Sequence, residues 1–235
     1  ERVLYNGLLS GVSLGGDRFF YQNPLESAGG HERSPWFEVA CCPPNMTRFL
    51  PSLPGYVYAT KDDTVFVNLF IEGEGDVEAD GRKVRLAQQT RYPWDGEIKL
   101  TMSPARPGEF ELALRIPGWA GDEAMPTDLY QFLDTNAERP SMKINGVAAP
   151  LDIRDGYARI RRTWKNGDTA ELSLPMPVRR VVAHDSVAAD SGRVALQRGP
   201  VVFAAEGVDN DGRVFDFFLP DTATLTAEFR LDLLG

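Results

Sequence analysis

Residues 36–59 read WFEVACCPPNMTRFLPSLPGYVYA, and the predicted secondary structure changes type within this stretch. The pair Pro43–Pro44 suits a helix start, because the first N–H groups of a helix have no partner inside it. Pro51 and Pro54 limit that helix to about two turns or kink it, since proline lacks a donor and crowds the preceding turn. From Tyr56 onward the pattern is typical of strands. We therefore predict helices up to this point and strands after it.

The residues before this stretch predict a helix followed by a loop. Leu4, Leu8 and Val12 lie near helical spacing, which predicts a short amphipathic helix over residues 2–14 that ends at Gly15–Gly16. The segment RFFYQNPLESAGGHERSPWFEVA then predicts a long hairpin or ordered loop. Because the chain opens on a helix already under way, we expect it to be a piece of a longer protein.

The region after the helices consists of short segments that carry β-branched and aromatic residues in partial alternation, separated by turn residues. These segments are TVFVNLF, VRLAQQT, EIKLTMS, FELALRI, GYARIRR, GRVALQRG, PVVFAAEG, GRVFDFFLP and LTAEFRLDL. Asn-Gly pairs in INGVAAPL and WKNGDTAELSL predict two hairpins. So many short strands predict a mainly β fold of antiparallel β-sandwich domains. GDEAMPTDLYQFLDTNAERP is interpreted as an insertion loop, and a weak boundary falls near residues 184–192.

Composition limits the classes of partner. Of the 235 residues, 43% are hydrophobic and 25% are charged, which is ordinary for a folded soluble protein. The net charge of −9 argues against nucleic acid and against anionic membrane surfaces, since both require a basic patch. No run of apolar residues is long enough for a conventional spanning helix. We therefore expect neither nucleic acid nor membrane as a partner.

Cys41 and Cys42 are the only cysteines, and they are neighbours. A disulfide between them would be strained, because adjacent Cα atoms lie only about 3.8 Å apart. Reduced thiols, which favour a cytoplasmic location, or a bound metal are the better interpretations. A helix start favours a thiolate, which acts as a metal ligand or as a nucleophile. Structural zinc needs four ligands, however, and the only imidazoles are His31 and His184. Two small buried residues in a helix-entry turn, or a redox pair, are the alternatives.

The other candidate side chains give weaker signals. His31 lies in a loop segment, and His184 lies near the weak boundary without an obvious partner. Glu26 and Glu38 are candidate acids, although carboxylates on a protein surface are far commoner than catalytic ones. Tyr21 follows two phenylalanines and is by default a core aromatic residue. Residue type and spacing alone therefore leave the function open.

Several stretches occur together in an order that is typical of one enzyme family. They are ERVLYNGLLSGVSL, FFYQNPLE, WFEVACCPPNMTRFLPSLPGYVYA, LRIPGWA, INGVAAPL, GYARIRRTWKNGDTAELSLPM and VALQRGPVVFAAE. Together they resemble the C-terminal half of glycoside hydrolase family 127, the β-L-arabinofuranosidases and their relatives. The resemblance covers nearly the whole chain, and CCPPN and RGPVVF are its most specific parts.

The resemblance implies a domain division. The family's fold is an (α/α)6 barrel followed by β-sandwich domains. By this analogy, residues 1–55 would be the last piece of the catalytic barrel and residues 56–182 one β-sandwich. Residues 183–235 would belong to a second, truncated β-sandwich. This division agrees with the separate prediction of helices first and strands afterwards.

The resemblance also implies a chemistry for the thiol pair. Members of the family are retaining hydrolases whose nucleophile is a cysteine bound to zinc. By position, Cys41 would be that zinc-bound nucleophile and Cys42 a second zinc ligand. Glu1 would match a glutamate that contacts sugar hydroxyls, and Tyr21 an active-site tyrosine. The partner would be a carbohydrate substrate, and the resemblance leaves a homodimer open.

The rest of the family's machinery would lie upstream of Glu1. It comprises the remaining zinc ligands in a short E-x-C motif, the acid/base glutamate and the sugar-binding histidines. We therefore expect this chain alone to be inactive. Val39 stands where some members have a third cysteine, the loop after Tyr21 is short and Pro51 is unusual, so the sugar specificity stays open.

A non-enzymatic alternative accounts for the same strands. The chain would then be an all-β carbohydrate-binding or scaffolding module with structural cysteines. Trp94, Trp119 and Trp164 would be the candidates for an aromatic platform that stacks on sugars. An exposed ring face is required for that role, whereas each tryptophan is by default a core or edge residue.

Overall fold

The structure is a computed structural model that describes residues 1–230. Its helices lie in the first quarter, apart from three short 3-10 helices at Gly118–Gly121, Ala188–Asp190 and Gly207–Asp209. A π-helix spans Val3–Leu8 and a 3-10 helix spans Leu9–Gly11. The predicted amphipathic helix over residues 2–14 is therefore wrong in type and in its end. The observed helical segment ends at Gly11, because Val12 is extended and forms a β-bridge with Phe19.

The second helical segment agrees with the prediction from its prolines. Helix α1 spans Pro44–Ser52, and helix α2 spans Pro54–Val57. Pro51 lies inside α1, and a single residue, Leu53, separates the two helices. The N–H of Leu53 bonds to the Leu50 carbonyl in a tightened last turn. Proline therefore divides the segment into two short helices, as its missing N–H predicts.

Strands make up most of the remaining regular structure. They are β1 Tyr58–Lys61, β2 Thr64–Val67, β3 Gly73–Ala79, β4 Arg82–Thr90, β5 Glu97–Pro104, β6 Gly108–Arg115, β7 Tyr130–Phe132, β8 Ser141–Ile144, β9 Val147–Ala149, β10 Ile153–Arg154, β11 Tyr157–Trp164, β12 Asp168–Ser173, β13 Val178–Ala183, β14 Ala195–Arg198 and β15 Val201–Val202. A mainly β fold is therefore confirmed, and most of the predicted segments contain a strand.

The strands form three sheets. A five-stranded sheet has the order β1-β2-β6-β11-β10, and a six-stranded sheet has the order β3-β4-β5-β12-β8-β9. A four-stranded sheet has the order β15-β14-β13-β7. All the pairings within residues 1–230 are antiparallel except that of β2 with β6.

One hydrophobic core joins the five-stranded sheet to the six-stranded sheet. Phe110 and Trp164 contribute to it from the first sheet, and Leu86, Leu100 and Leu172 from the second. Strand β5 alternates exposed and buried residues almost without exception, so one face of its sheet is turned to this core. The indole N–H of Trp164 donates to the Phe110 carbonyl at 3.2 Å, so this buried donor is satisfied.

One of the two predicted Asn-Gly hairpins is confirmed, and the other is wrong. Asn145 and Gly146 have φ of 51° and 76° and join β8 to β9 in a tight hairpin. Asn166 and Gly167 instead join β11 to β12, which lie in different sheets. Only Gly167 of this second pair has a positive φ, so a type I′ turn does not form. Its N–H bonds to the Met102 carbonyl of β5, which directs the chain into the other sheet.

Two further predictions were wrong at the C-terminal side. GRVFDFFLP forms no strand, and neither does the described part of LTAEFRLDL, whose last three residues lie outside the described residues. The presumed insertion loop contains β7, which pairs with β13. Phe132 of β7 packs against the buried Arg179 of β13, whose guanidinium lies 3.5 Å from the ring centroid. The predicted boundary after residue 182 falls inside β13, and the domain division stays a prediction.

The helical segment is attached to the four-stranded sheet by side-chain hydrogen bonds. The Asn6 amide donates to the Pro200 carbonyl at 2.8 Å and accepts from the Val202 N–H at 2.8 Å. Arg2 donates to the buried Gln197 at 3.1 Å. Asn6 therefore pairs with the backbone of β15 much as a neighbouring strand would. Within the described residues, no helix is both long enough and apolar enough to cross a membrane.

The loop between β4 and β5 is fixed by a close backbone approach at Gly96. The Leu174 N–H donates to the Gly96 carbonyl at 2.9 Å. A Cβ atom added at Gly96 would lie 1.9 Å from the Leu174 carbonyl oxygen, so no larger residue fits without a backbone shift. This contact holds the turn that carries Tyr92 and Trp94 against the end of β12.

We predict that Gly96→Ala lowers the free energy of unfolding by about 1–3 kcal/mol, the usual cost of overpacking a close contact. Urea denaturation of the two proteins measures the difference. Gly55→Ala is the matched control, because no heavy atom lies within 4 Å of its added Cβ. Equal urea midpoints for Gly96→Ala and the unsubstituted protein would contradict the close approach.

Candidate active site

The two cysteines lie side by side at the entrance to α1, and both are exposed and unbridged. Their Sγ atoms are 3.6 Å apart, too far for a disulfide. The Cys42 carbonyl accepts from the Asn45 N–H, which ties the pair to the first turn of α1. The alternative of two small buried residues is therefore wrong, since both thiols face solvent.

Tyr21 reaches this pair from the preceding loop. Its hydroxyl lies 3.0 Å from Cys41 Sγ. The loop is an irregular hairpin in which Phe19 and Ser34 exchange two backbone hydrogen bonds, of 2.8 and 2.9 Å. Phe37 packs edge-on against the Tyr21 ring at 5.2 Å between centroids. The default reading of Tyr21 as a core aromatic residue is wrong, because its side chain is exposed.

The Cys41 thiol is an acidic one. Its pKa lies below the ordinary value, chiefly because the Tyr21 hydroxyl hydrogen-bonds to the sulfur and next because the Cys42 thiol does. The backbone of Cys41 and Cys42 makes a smaller contribution in the same direction. The pKa of Tyr21 is raised by the same hydrogen bond, so its hydroxyl keeps its proton. From the sequence we expected the helix start to stabilise the thiolate. The Tyr21 hydroxyl is instead the largest cause of the lowered pKa of Cys41.

The spacing of the two sulfurs fits a shared zinc ion. With tetrahedral geometry and Zn–S bonds of about 2.3 Å, two thiolates on one zinc lie about 3.8 Å apart. The observed 3.6 Å is close to that value. Within residues 1–230, no group of three or more His, Cys, Asp and Glu side chains could hold a metal ion. The two thiols alone are therefore fewer than the four ligands that a tetrahedral zinc site needs.

Glu1 contacts a residue of the strand-rich part of the chain and not the thiol pair. Its carboxylate accepts a hydrogen bond from the hydroxyl of Tyr92, which lies between β4 and β5. The structure thus brings Tyr21, Cys41 and Cys42 together and places Glu1 against the strand-rich part of the chain. Sequence reasoning missed Tyr92, and its only signal was an aromatic residue in the turn YPWDG.

The remaining candidates have structural partners. Glu26 forms an ion pair with Arg193. His31 stacks on the Phe20 ring at 4.5 Å, and its Nε2 lies 2.9 Å from the Gln22 carbonyl. The ring of His184 accepts from the Ser186 N–H within its own turn at 3.1 Å. These contacts explain the side chains without catalysis, and Glu38 is exposed.

The tryptophans offer little to a sugar platform. Trp164 is completely buried, and Trp119 is 7% exposed. Trp94 is the exposed one of the three candidates, and its ring lies 5.4 Å from that of Phe229. Two of the three rings that the non-enzymatic alternative requires therefore belong to the core.

A cleft of about 830 Å³ lies between α2 and strands β1 and β3. Leu53, Tyr58 and Glu74 are among its lining residues, and the cysteines are not. Asp76 on its rim is paired with Arg85 by two hydrogen bonds, of 2.9 and 3.1 Å. The cleft is therefore separate from the thiol pair.

Three models of one enzyme family match successive parts of the chain. The Beta-L-arabinofuranosidase GH127 catalytic domain matches residues 1–55, the GH127 middle domain residues 64–176, and the family 127 C-terminal domain residues 178–231. The chain belongs to glycoside hydrolase family 127. The resemblance seen in the sequence is thereby confirmed, and the thiol pair falls in the part that matches the family's catalytic domain.

Similar proteins of the family are known in sequence and in structure. A non-reducing end beta-L-arabinofuranosidase from Bifidobacterium longum subsp. longum is 33% identical over 100% of this chain and 36% of its own length. A GH127 beta-L-arabinofuranosidase structure from Geobacillus stearothermophilus T6 is 43% identical, with a TM-score of 0.85 over 98% of this chain and 36% of that one. A GH127 beta-arabinofuranosidase structure is 48% identical, with a TM-score of 0.81 over 85% and 31% of the two chains. The chain thus spans about a third of the length of these relatives.

We predict that Tyr21→Phe slows alkylation of Cys41 by iodoacetamide at neutral pH and moves its pH dependence upward. The hydroxyl stabilises the thiolate, so its loss raises the pKa of Cys41 and leaves less thiolate below that pKa. Peptide mass spectrometry of the metal-free protein separates Cys41 from Cys42.

Tyr56→Phe is the control for this measurement, since Tyr56 is an exposed tyrosine that contacts Phe49 and not the thiols. Its alkylation profile at Cys41 should match that of the unsubstituted protein. An unchanged profile in Tyr21→Phe as well would mean that the phenol does not stabilise the thiolate.

Proposed function

We propose that this chain is the C-terminal portion of a retaining glycoside hydrolase that cleaves β-L-arabinofuranosides or a similar sugar, with Cys41 as nucleophile. The observation that carries the proposal is the contact of the Tyr21 hydroxyl with the exposed Cys41 thiol, beside Cys42. Family membership supports a glycosidic substrate. The named activity of the relatives supports the arabinofuranoside.

In this proposal, residues 1–55 are the last part of an (α/α)6 barrel that carries the active site. The five-stranded and six-stranded sheets, with their shared core, form a β-sandwich beside it. The four-stranded sheet belongs to a second sandwich. The match of residues 1–55 to the family's catalytic domain supports this assignment.

Cys41 and Cys42 would hold zinc, and the remaining ligands would come from the family's E-x-C motif outside this chain. The sulfur spacing of 3.6 Å is compatible with a common metal. When bound, zinc keeps a thiol deprotonated at neutral pH and makes sulfur a better leaving group. The hydrogen bond of Tyr21, which lowers the pKa of Cys41, supports a thiolate at this position.

The reaction proceeds in two displacements at the anomeric carbon. The Cys41 thiolate attacks that carbon, so a C–S bond forms while the bond to the leaving oxygen breaks. The leaving oxygen takes a proton from the family's acid/base glutamate, which lies outside this chain. Water, deprotonated by the same glutamate, then attacks the anomeric carbon, and Cys41 leaves as a thiolate. Two inversions give net retention.

Two other side chains hold and orient the reactants. The Tyr21 hydroxyl donates to the Cys41 sulfur in the free enzyme and again when sulfur departs with its negative charge. The Glu1 carboxylate would accept hydrogen bonds from sugar hydroxyls.

We predict that the isolated 235-residue chain has no glycosidase activity. Zinc needs about four ligands, and residues 1–230 bring no third ligand to the two thiols. Hydrolysis of a chromogenic β-L-arabinofuranoside by the purified chain, with added zinc, checks this. Turnover that survives extensive purification would contradict the proposed division of the active site.

We predict that Cys41→Ser in the complete protein lowers kcat by about a thousandfold or more, since a serine hydroxyl stays protonated and is a weak nucleophile. Mass spectrometry after quenching should also detect a glycosyl group on the Cys41 peptide of the unsubstituted enzyme. Chelation of its zinc should abolish turnover.

Val39→Ser is the matched control, because Val39 is an exposed residue of the same segment. It should retain activity and zinc. Full activity of Cys41→Ser would overturn the proposed nucleophile.

A further inference from the structure

The hydroxyl of Tyr92 donates to the Glu1 carboxylate although the two residues belong to different parts of the fold. Glu1 precedes the first helix, within the part that matches the family's catalytic domain. Tyr92 lies between β4 and β5, within the part that matches the middle domain. This hydrogen bond therefore joins a residue of the strand-rich region to a carboxylate of the catalytic part.

The Tyr92 ring is held on several sides. It is 8% exposed and packs edge-on against Tyr5 and Phe70, with centroids 6.0 and 5.6 Å away. The Tyr92 N–H donates to the Thr90 hydroxyl at 3.0 Å. Gly96, fixed against the end of β12, closes the same turn. The hydroxyl therefore has a defined direction, and it points at Glu1.

The electrostatics keep this hydroxyl a donor. Burial raises the pKa of Tyr92, and the nearby Glu1 carboxylate raises it further. The Trp119 indole has a smaller effect in the opposite direction. The raised pKa means that Tyr92 keeps its proton and donates a hydrogen bond to the Glu1 carboxylate.

We propose that Tyr92 is a positioning residue of the sugar-binding site. It orients the Glu1 carboxylate so that the carboxylate can accept hydrogen bonds from hydroxyl groups of the furanoside. This inference rests on the role given to Glu1 in the proposed function. A glutamate side chain has several rotamers, and ordering them on binding costs affinity. The Tyr92 hydroxyl uses one lone pair of the carboxylate and restricts its rotation. The remaining lone pairs are therefore oriented before the sugar binds.

It follows that the strand-rich region is a component of the active site and not only a neighbour of it. The helical segment supplies Glu1, while the direction of its carboxylate is set from the turn between β4 and β5. Tyr5 packs on the same ring from the helical side, so both parts of the fold contact the Tyr92 ring.

The test is a kinetic cycle on the complete enzyme with Tyr92→Phe, Glu1→Gln and the double variant. We expect Tyr92→Phe to lower kcat/KM for an arabinofuranoside about tenfold, mainly through KM, since the lost hydrogen bond is to a charged group. In the Glu1→Gln background, the same substitution should cause a smaller loss, because the Tyr92 hydroxyl then donates to a neutral amide oxygen instead of a carboxylate.

Tyr157→Phe is the matched control. Its hydroxyl donates to Asn68 at 2.8 Å in the strand-rich region, so the substitution removes a comparable hydrogen bond elsewhere. It should leave KM unchanged. Thermal unfolding midpoints of all the variants separate loss of folding from loss of binding.

Glu1→Asp is a second route, because it withdraws the carboxylate from the phenol and leaves the ring packing of Tyr92 intact. Its KM should rise, and adding Tyr92→Phe should change it no further. If Glu1→Gln and Glu1→Asp raise KM while Tyr92→Phe does not, the positioning role is overturned and the proposed function stands. If the Glu1 variants also leave KM unchanged, the sugar-binding role of Glu1 fails, and this inference fails with it.

Discussion

The arrangement of the chain depends on the hydrophobic core that the five-stranded and six-stranded sheets share. Its largest members, among them Trp164 and Phe110, are fully buried, and each such side chain contributes about 1.5–3 kcal/mol through burial. Because both sheets supply this core, the turns at their ends have fixed positions. The turn that carries Tyr92 is one of these, and it reaches the helical segment from that rigid base. The position of Glu1 therefore depends on packing far from any thiol.

At the thiol pair, the decisive factor is a hydrogen bond rather than burial. The Tyr21 hydroxyl hydrogen-bonds to the exposed Cys41 sulfur and is the largest cause of its lowered pKa. The phenol in turn depends on the Phe19–Ser34 bridge and on the Phe37 ring for its direction. Secondary structure is sparse in this loop, so a few specific contacts replace a regular scaffold there.

The sequence predicted the mainly β class, the helix at Pro44 and the hairpin at Asn145-Gly146, because each follows from local residue type. It failed at Asn166-Gly167, where the buried faces of two sheets decide the path of the chain and the turn residues do not. It also failed at β7, a short strand whose pairing with β13 is a long-range contact. The thiol pair was visible as a rare dipeptide, and the resemblance gave Tyr21 its place. Tyr92 was not visible, since its partner lies 91 residues away.

Strand β7 has a consequence for the modularity of the enzyme. It comes from the part that matches the family's middle domain, yet it completes the sheet formed by β13, β14 and β15. Cutting the gene at the junction between the two matched parts would remove one of the two neighbours of β13 and leave an unpaired strand edge open to intermolecular association. The C-terminal part is therefore not a self-contained unit, because its sheet lacks an edge strand without the part before it.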